Sequence, residues 1–106
     1  MKALKAKVEA NTPLLPPGER EVRLQGQDLS GVVEQLREEL EKDTTVEELW
    51  LSGCGIGDDG AAAIAEALRS NTSLTVLDLD HNGIGEQGRQ LLRDAVAGRE
   101  GFELLV

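Results

Sequence analysis

Three groups of residues in this 106-residue chain have types and spacings that could support chemistry. Residues 55–60 read GIGDDG, the G-x-G-x-x-G pattern whose glycines let a dinucleotide pyrophosphate approach a helix N-terminus. Residues 78–84 read DLDHNGI and match the start of the calcium-loop pattern D-x-[DN]-x-[DN]-G. Cys54 and His81 are the only cysteine and the only histidine, and such a pair could act as nucleophile and base.

Each of these patterns has a feature that argues against the chemistry. The glycine pattern recurs in residues 83–88 (GIGEQG), which is typical of a turn needed in every repeat, and acidic residues at both helix starts would repel phosphate. The twelfth position of a calcium loop should be a bidentate glutamate, and here it is Arg89. His81 lies one repeat away from Cys54, whose expected role is that of a buried residue bonding turn backbone. We therefore predict a non-enzymatic protein with no catalytic residue, no cofactor and no bound metal.

Composition restricts the possible partners and the cellular location. The formal net charge of −9 disfavours nucleic acid and anionic membranes, both of which attract clustered lysine and arginine. No apolar run approaches the about 18 residues that a membrane-spanning helix requires. The opening MKALKAKVEA lacks the apolar core of a signal peptide, and a single cysteine suits a reducing compartment. These features predict a soluble, intracellular, cytoplasmic protein.

The chain repeats itself with a period of 28 residues, since segments 46–73 and 74–101 align without a gap. The front half of each segment alternates apolar and other residues, as a strand does, and the back half has apolar residues three or four apart, as a helix does. A looser copy occupies residues 19–45, and residues 102–106 restart the pattern as a terminal strand. Residues 1–18 are predicted to form an N-terminal capping helix and a proline-rich connection. One strand and one helix per unit, stacked in order, predict a solenoid.

The repeated pattern L-x-x-L-x-L-x-x-[N/C]-x-[I/L]-x-x-x-G followed by a helix resembles the leucine-rich repeat of the ribonuclease-inhibitor-like type. The resemblance covers about four-fifths of the chain, although Gln27 stands in the first unit where Cys54 and Asn82 stand in the next two. It implies a right-handed α/β solenoid, a short horseshoe with a parallel sheet on its concave face and helices on its convex face. Because the family includes inhibitors, innate immune receptors, GTPase activators and actin-capping proteins, the resemblance indicates fold more strongly than function.

Trp50, the only tryptophan, lies between two strand leucines and is therefore predicted to point to the concave face. One interpretation is that the indole packs on Arg23 and only covers sheet surface, and the other is that it anchors a partner. In parallel register, equivalent positions of successive units form rows across the sheet. The predicted rows are Arg23, Trp50, Asp78 and Val106; Glu21, Glu48, Val76 and Leu104; and Gln25, Ser52 and Asp80.

The leading functional hypothesis is a protein–protein interaction module that binds a partner through the concave face around Trp50. Acidic residues in the rows favour a basic partner by electrostatic steering. The alternative is a structural unit that self-assembles into a homo-oligomer through the open strand edge of residues 102–106. A GTPase-regulating fragment is a more distant alternative, which rests on the family resemblance alone. The predicted partner-binding residues are Arg23, Glu48, Trp50, Ser52, Val76, Asp78 and Asp80.

Overall fold

The computed structural model describes residues 13–106, which form four parallel strands alternating with helices. The strand order in the sheet, β1-β2-β3-β4, is also the order in the chain. This arrangement is the α/β solenoid that the repeat predicts. The elements are β1 Glu21–Arg23, α1 Val33–Lys42, β2 Glu48–Trp50, α2 Gly57–Leu68, β3 Val76–Asp78, α3 Glu86–Val96 and β4 Glu103–Leu105.

The core lies between the sheet and the helices. The central residues of β2 and β3, Leu49 and Leu77, are fully buried, as are Ile64 of α2 and Leu92 of α3. Strand periodicity places every second side chain on this side of the sheet, and helical periodicity brings one stripe of each helix to meet it. None of the helices within residues 13–106 is long and apolar enough to cross a bilayer.

Two asparagines fix the stacking of successive units through side-chain bonds to backbone. Asn82 Nδ2 donates to the carbonyl of Leu51 at 2.9 Å, and its Oδ1 accepts from the N–H groups of Cys54 and Ile56 at 2.8 and 3.1 Å. Asn71 Nδ2 donates to the carbonyl of Leu40, at the end of α1, at 2.9 Å. Because these backbone groups are buried, the side chains satisfy polar atoms that water does not reach.

The register of β4 differs from the prediction. Leu104 pairs with Leu77, so it lies in the inward row, while Glu103 and Leu105 occupy the outward rows. Placing Leu104 and Val106 in the outward rows was therefore wrong. The physical reason is the connection into β4, which spans 97–102 and is one residue shorter than the connection 69–75 into β3. A strand shifted by one residue turns all its side chains to the other face.

Residues 1–12 of the predicted N-terminal cap lie outside the described part of the chain. Residues 13–18 form bends and turns, consistent with a proline-rich connection. Leu14 and Leu15 in this connection are each only 3% exposed and pack into the core. The Leu15 N–H also donates to Glu39 Oε1 of α1 at 2.8 Å. The connection therefore covers the first unit of the core.

Candidate protein-interaction surface

One face of the sheet is accessible, because the described helices share a single apolar core with the inward strand residues on the other face. We call this accessible side the open sheet face, and it corresponds to the predicted concave face. Its residues are half-buried or exposed, whereas Leu49 and Leu77 between them are fully buried. The open sheet face consists of the row Glu21, Glu48, Val76 and Glu103 and the row Arg23, Trp50, Asp78 and Leu105.

All seven residues predicted to bind a partner lie on or beside the open sheet face. Arg23, Glu48, Trp50, Val76 and Asp78 are outward residues of β1, β2 and β3. Ser52 and Asp80 each lie two residues after the end of their strand, β2 and β3. The ladder continues there, because the Gly26 N–H donates to the Ser52 carbonyl at 2.9 Å and the Gly53 N–H to the Asp80 carbonyl at 3.0 Å. The β2 and β3 rows thus have the predicted register.

Trp50 is half-buried and held by two neighbours. The guanidinium carbon of Arg23 lies 5.3 Å from the centroid of the indole ring, within the range of a cation–π contact. The indole Nε1–H donates to Glu48 Oε1 at 3.3 Å. One ring face is therefore stacked by a cation, and the ring edge is tethered by a carboxylate. These two contacts hold the side chain in one orientation.

The electrostatics of the open sheet face differ on the two sides of Trp50. On the β1 side, Arg23 forms an ion pair with Glu21, so the opposite charges neutralise each other. On the β3 side, Asp78 Oδ1 accepts the backbone N–H of Asp80 at 3.0 Å. Within residues 13–106, neither aspartate has a cationic side chain close enough to form an ion pair. Glu48 of β2 likewise has no ion pair among the described residues, so the uncompensated negative charge of the face lies on β2 and on the β3 side of Trp50.

Apolar and acidic residues of β4 extend this surface. Leu105 is half-buried beside Asp78, and Glu103 is exposed beside Val76. Reasoning from the sequence missed both residues because it assumed an unbroken 28-residue period. The tail Phe102–Val106 has apolar residues at four of its five positions, so its pattern fits either register. The length of the α3–β4 connection decides the register, and the pattern does not encode that length.

The glycine pattern of residues 55–60 has a structural explanation. Gly55 has φ of 71°, in the left-handed region that favours glycine. Gly60 lies in α2, where a Cβ would come within 2.5 Å of Ile56 Cγ2, so the close packing requires the absence of a side chain. The turn and the packing account for the pattern, and we assign no nucleotide to it.

Cys54 is buried, as its position in the repeat predicts, and its thiol donates to the carbonyl of Leu24 at 3.0 Å. Burial raises the pKa of the Cys54 thiol, which keeps it in the less reactive protonated form. His81 is exposed, in a turn of the next unit. Within residues 13–106, no group of three or more His, Cys, Asp and Glu side chains is arranged to hold a metal ion.

Comparison with known proteins agrees with this architecture. Residues 42–65 and 70–92 match the Leucine Rich repeat family. The chain folds as an α/β leucine-rich-repeat solenoid. No curated protein gave a match to this leucine-rich-repeat chain.

A solved structure of "Leiomodin-1 Actin-Binding Site 2 (ABS2)" is similar in fold, with a TM-score of 0.74 and 27% sequence identity. The similarity covers 94% of this chain and 57% of that chain, so the leucine-rich-repeat chain spans little more than half of the solved structure. Leucine-rich repeats together with this neighbour support a role in protein–protein interaction.

Proposed function

We propose that this leucine-rich-repeat chain is a non-enzymatic interaction module that binds a protein partner through the open sheet face around Trp50. The observation that carries the proposal is the indole itself, which is half-exposed on an accessible face and fixed by Arg23 and Glu48. Tryptophan is enriched among binding hot spots, where its truncation costs about 2 kcal/mol or more. A side chain already held in one orientation loses little entropy on binding.

The charge of the face supports a basic partner. Asp78 and Asp80 form no ion pair with a side chain of residues 13–106, and Glu103 adds an exposed carboxylate on β4. Such a surface accelerates encounter with a positively charged partner and disfavours acidic ones. The structural neighbour is an actin-binding site of leiomodin-1, which supports a protein as the partner class here.

Three further features belong to the same proposal. The 28-residue spacing of Leu49 and Leu77 supports the ribonuclease-inhibitor-like type, with units 19–45, 46–73 and 74–101. The free, buried Cys54 supports an intracellular, reducing location. The structural roles of Cys54 and of the turn glycines support a binding function over catalysis.

Selection of peptides from a randomised display library on the immobilised chain tests the proposal. Enriched peptides should lose at least about tenfold in affinity for Trp50→Ala, in keeping with loss of a hot-spot side chain. Leu91→Ala is the matched control, because Leu91 is a large apolar side chain that is 40% exposed on α3, away from the open sheet face. Equal binding to wild type and Trp50→Ala would refute the proposed surface.

Self-assembly through β4 is the second candidate. In the described sheet β4 pairs with β3 on one side only. Leu105 of β4 is half-buried. An unpaired strand edge offers backbone groups to another strand. Sedimentation velocity over a hundredfold range of concentration decides this candidate. A mass that rises with concentration, and stays monomeric in Leu105→Asp, would support assembly; a constant monomer mass would exclude it.

A further inference from the structure

The open sheet face contains one guanidinium-binding arrangement that the chain fills itself. Arg23 stacks on Trp50 with 5.3 Å between its guanidinium carbon and the ring centroid, and the same guanidinium pairs with the Glu21 carboxylate. An aromatic face next to a carboxylate suits arginine in particular, since its planar group stacks and forms hydrogen bonds at its edge at the same time. The intramolecular contact shows what chemistry the indole accepts.

On the side of Trp50 that faces β3, carboxylates are present but no cation pairs with them. Asp78 is the register partner of Trp50 on β3, and neighbouring parallel strands lie about 4.8 Å apart. Asp80 follows within two residues, and no cationic side chain of residues 13–106 pairs with either carboxylate. Asp78 thus holds on the β3 side of Trp50 the register position that Arg23 holds on the β1 side, and Asp80 lies two residues further along the chain.

Apolar side chains border this acidic half. Val76 precedes Asp78 by two residues on the same strand face, and Leu105 is the register partner of Asp78 on β4. Both are half-buried, so each exposes some apolar surface. A partner segment with only charged residues, or a small polyamine, would leave this surface unused. A cation flanked by apolar residues would cover it.

We propose that the partner presents an arginine, flanked by apolar residues, that stacks on the Trp50 face opposite Arg23 and pairs with Asp78 and Asp80. The flanking apolar residues pack on Val76 and Leu105. This inference rests on the proposed function, since it specifies what the same surface recognises. Lysine is a poorer match, because its ammonium is more strongly hydrated and cannot stack as a plane.

The test is a titration of the ¹⁵N-labelled full chain with a blocked nonapeptide containing one arginine between two leucines. The matched probe contains citrulline, which has nearly the same shape but no charge, in place of arginine. Trp50 gives the only indole N–H signal in the spectrum. We expect the arginine peptide to shift this signal and the amides of Asp78 and Leu105, and to bind about tenfold more tightly than the citrulline peptide.

Two charge-neutralising variants separate the subsite from general electrostatic attraction. Asp78→Asn and Glu66→Gln each remove one carboxylate charge, and Glu66 is exposed on α2, away from the open sheet face. Asp78→Asn should weaken the arginine peptide about fivefold to tenfold, and Asp78→Asn with Asp80→Asn should weaken it further, whereas Glu66→Gln should leave affinity within about twofold. Equal affinity for the two peptides, or equal effects of Asp78→Asn and Glu66→Gln, would overturn the inference.

The display-selected peptides distinguish failure of this inference from failure of the proposed function. Peptides that require Trp50 but lack an enriched arginine, and that bind Asp78→Asn as well as wild type, would reject the arginine subsite and leave the interaction surface standing. Peptides that bind Trp50→Ala and wild type equally would reject both. Thermal unfolding of each variant verifies that the fold is intact.

Discussion

Replacing Asn82 with alanine should destabilise the fold strongly. Asn82 is only 5% exposed, and its amide joins two successive repeats. Its Nδ2 donates to the carbonyls of Leu51 and Asp80 at 2.9 and 3.1 Å, and its Oδ1 accepts from Cys54 and Ile56 N–H groups at 2.8 and 3.1 Å. Alanine removes all of these bonds and supplies none.

The magnitude follows from the groups left without a partner. A buried donor or acceptor that loses its hydrogen bond costs about 1–3 kcal/mol. The carbonyl of Leu51 and the N–H groups of Cys54 and Ile56 lose buried bonds, while the carbonyl of Asp80 is partly exposed and regains water. With some relaxation, the free energy of unfolding should fall by about 3 kcal/mol. In a chain of this size, that corresponds to a Tm lower by about 10–20 °C.

Urea denaturation monitored by Trp50 fluorescence and by circular dichroism measures this change. Cys54→Ala is the matched control, because Cys54 occupies the same repeat position but donates only weakly, at 3.0 Å to the Leu24 carbonyl and at 3.7 Å to the Ser52 carbonyl. It should cost about 1 kcal/mol. A loss below about 1 kcal/mol for Asn82→Ala, or equal losses for both variants, would refute the reasoning that the amide holds the repeats in register.

Three other changes test the packing, the turns and the buried thiol. Gly88→Ala should lower the free energy of unfolding by about 1–3 kcal/mol despite alanine's helix propensity, because a Cβ there would lie 2.7 Å from Ile84 Cγ2 and 3.2 Å from Ala61 Cβ. His81→Gly should raise it by about 0.5–1 kcal/mol, since His81 has φ of 60° at the turn position where Gly53 has 66°. Burial raises the pKa of the Cys54 thiol, so wild-type stability should fall as pH rises above the ordinary cysteine value of about 8.5. The fall occurs because the unfolded thiol ionises first, and Cys54→Ala should lack it.

Urea unfolding at fixed pH checks the first two changes, and unfolding from pH 7 to 10 checks the third. Gln87→Ala, at an exposed position of the same helix, is the control for Gly88→Ala and should stay within about 0.5 kcal/mol of wild type. His81→Val should destabilise, because a β-branched side chain is strained at positive φ. If the free energy of unfolding changed with pH equally in wild type and Cys54→Ala, the pH dependence could not be assigned to the Cys54 thiol.

The sequence was sufficient for the middle of the fold because two repeats align without a gap. Leu49 and Leu77 are 28 residues apart and pair as predicted, and that register places Trp50 beside Asp78. The register of the fourth strand was predicted wrongly: Leu104, and not Leu105, pairs with Leu77. The register there depends on the shorter α3–β4 connection, a geometric quantity that the apolar pattern does not report.

The sequence predicted which residues lie on the candidate surface, but it did not predict the side-chain contacts among them. Strand alternation is sufficient to place Trp50 and Asp78 outward. Alternation does not reveal that the Trp50 indole donates to Glu48, or that Glu21 neutralises Arg23, because these contacts depend on side-chain rotamers. The predicted row already placed Arg23 and Asp78 on opposite sides of Trp50, and the structure adds that the Arg23 charge is paired while Asp78 and Asp80 have no ion pair among the described residues. The arginine subsite therefore follows from the structure, and the presence of an interaction surface from the sequence.

Acrylamide quenching of Trp50 fluorescence, without and with a saturating display-selected peptide, measures whether a bound partner covers the indole. Trp50 is the sole tryptophan and the chain has no tyrosine, so the emission has one source. Acrylamide is neutral and is not repelled by the surrounding carboxylates, as iodide would be. We expect measurable quenching of the free chain and a quenching constant at least halved by the peptide, because the bound peptide covers the indole. Emission that is blue-shifted and unquenchable in the free chain, or quenching unchanged by bound peptide, would contradict the claim that Trp50 is offered to a partner.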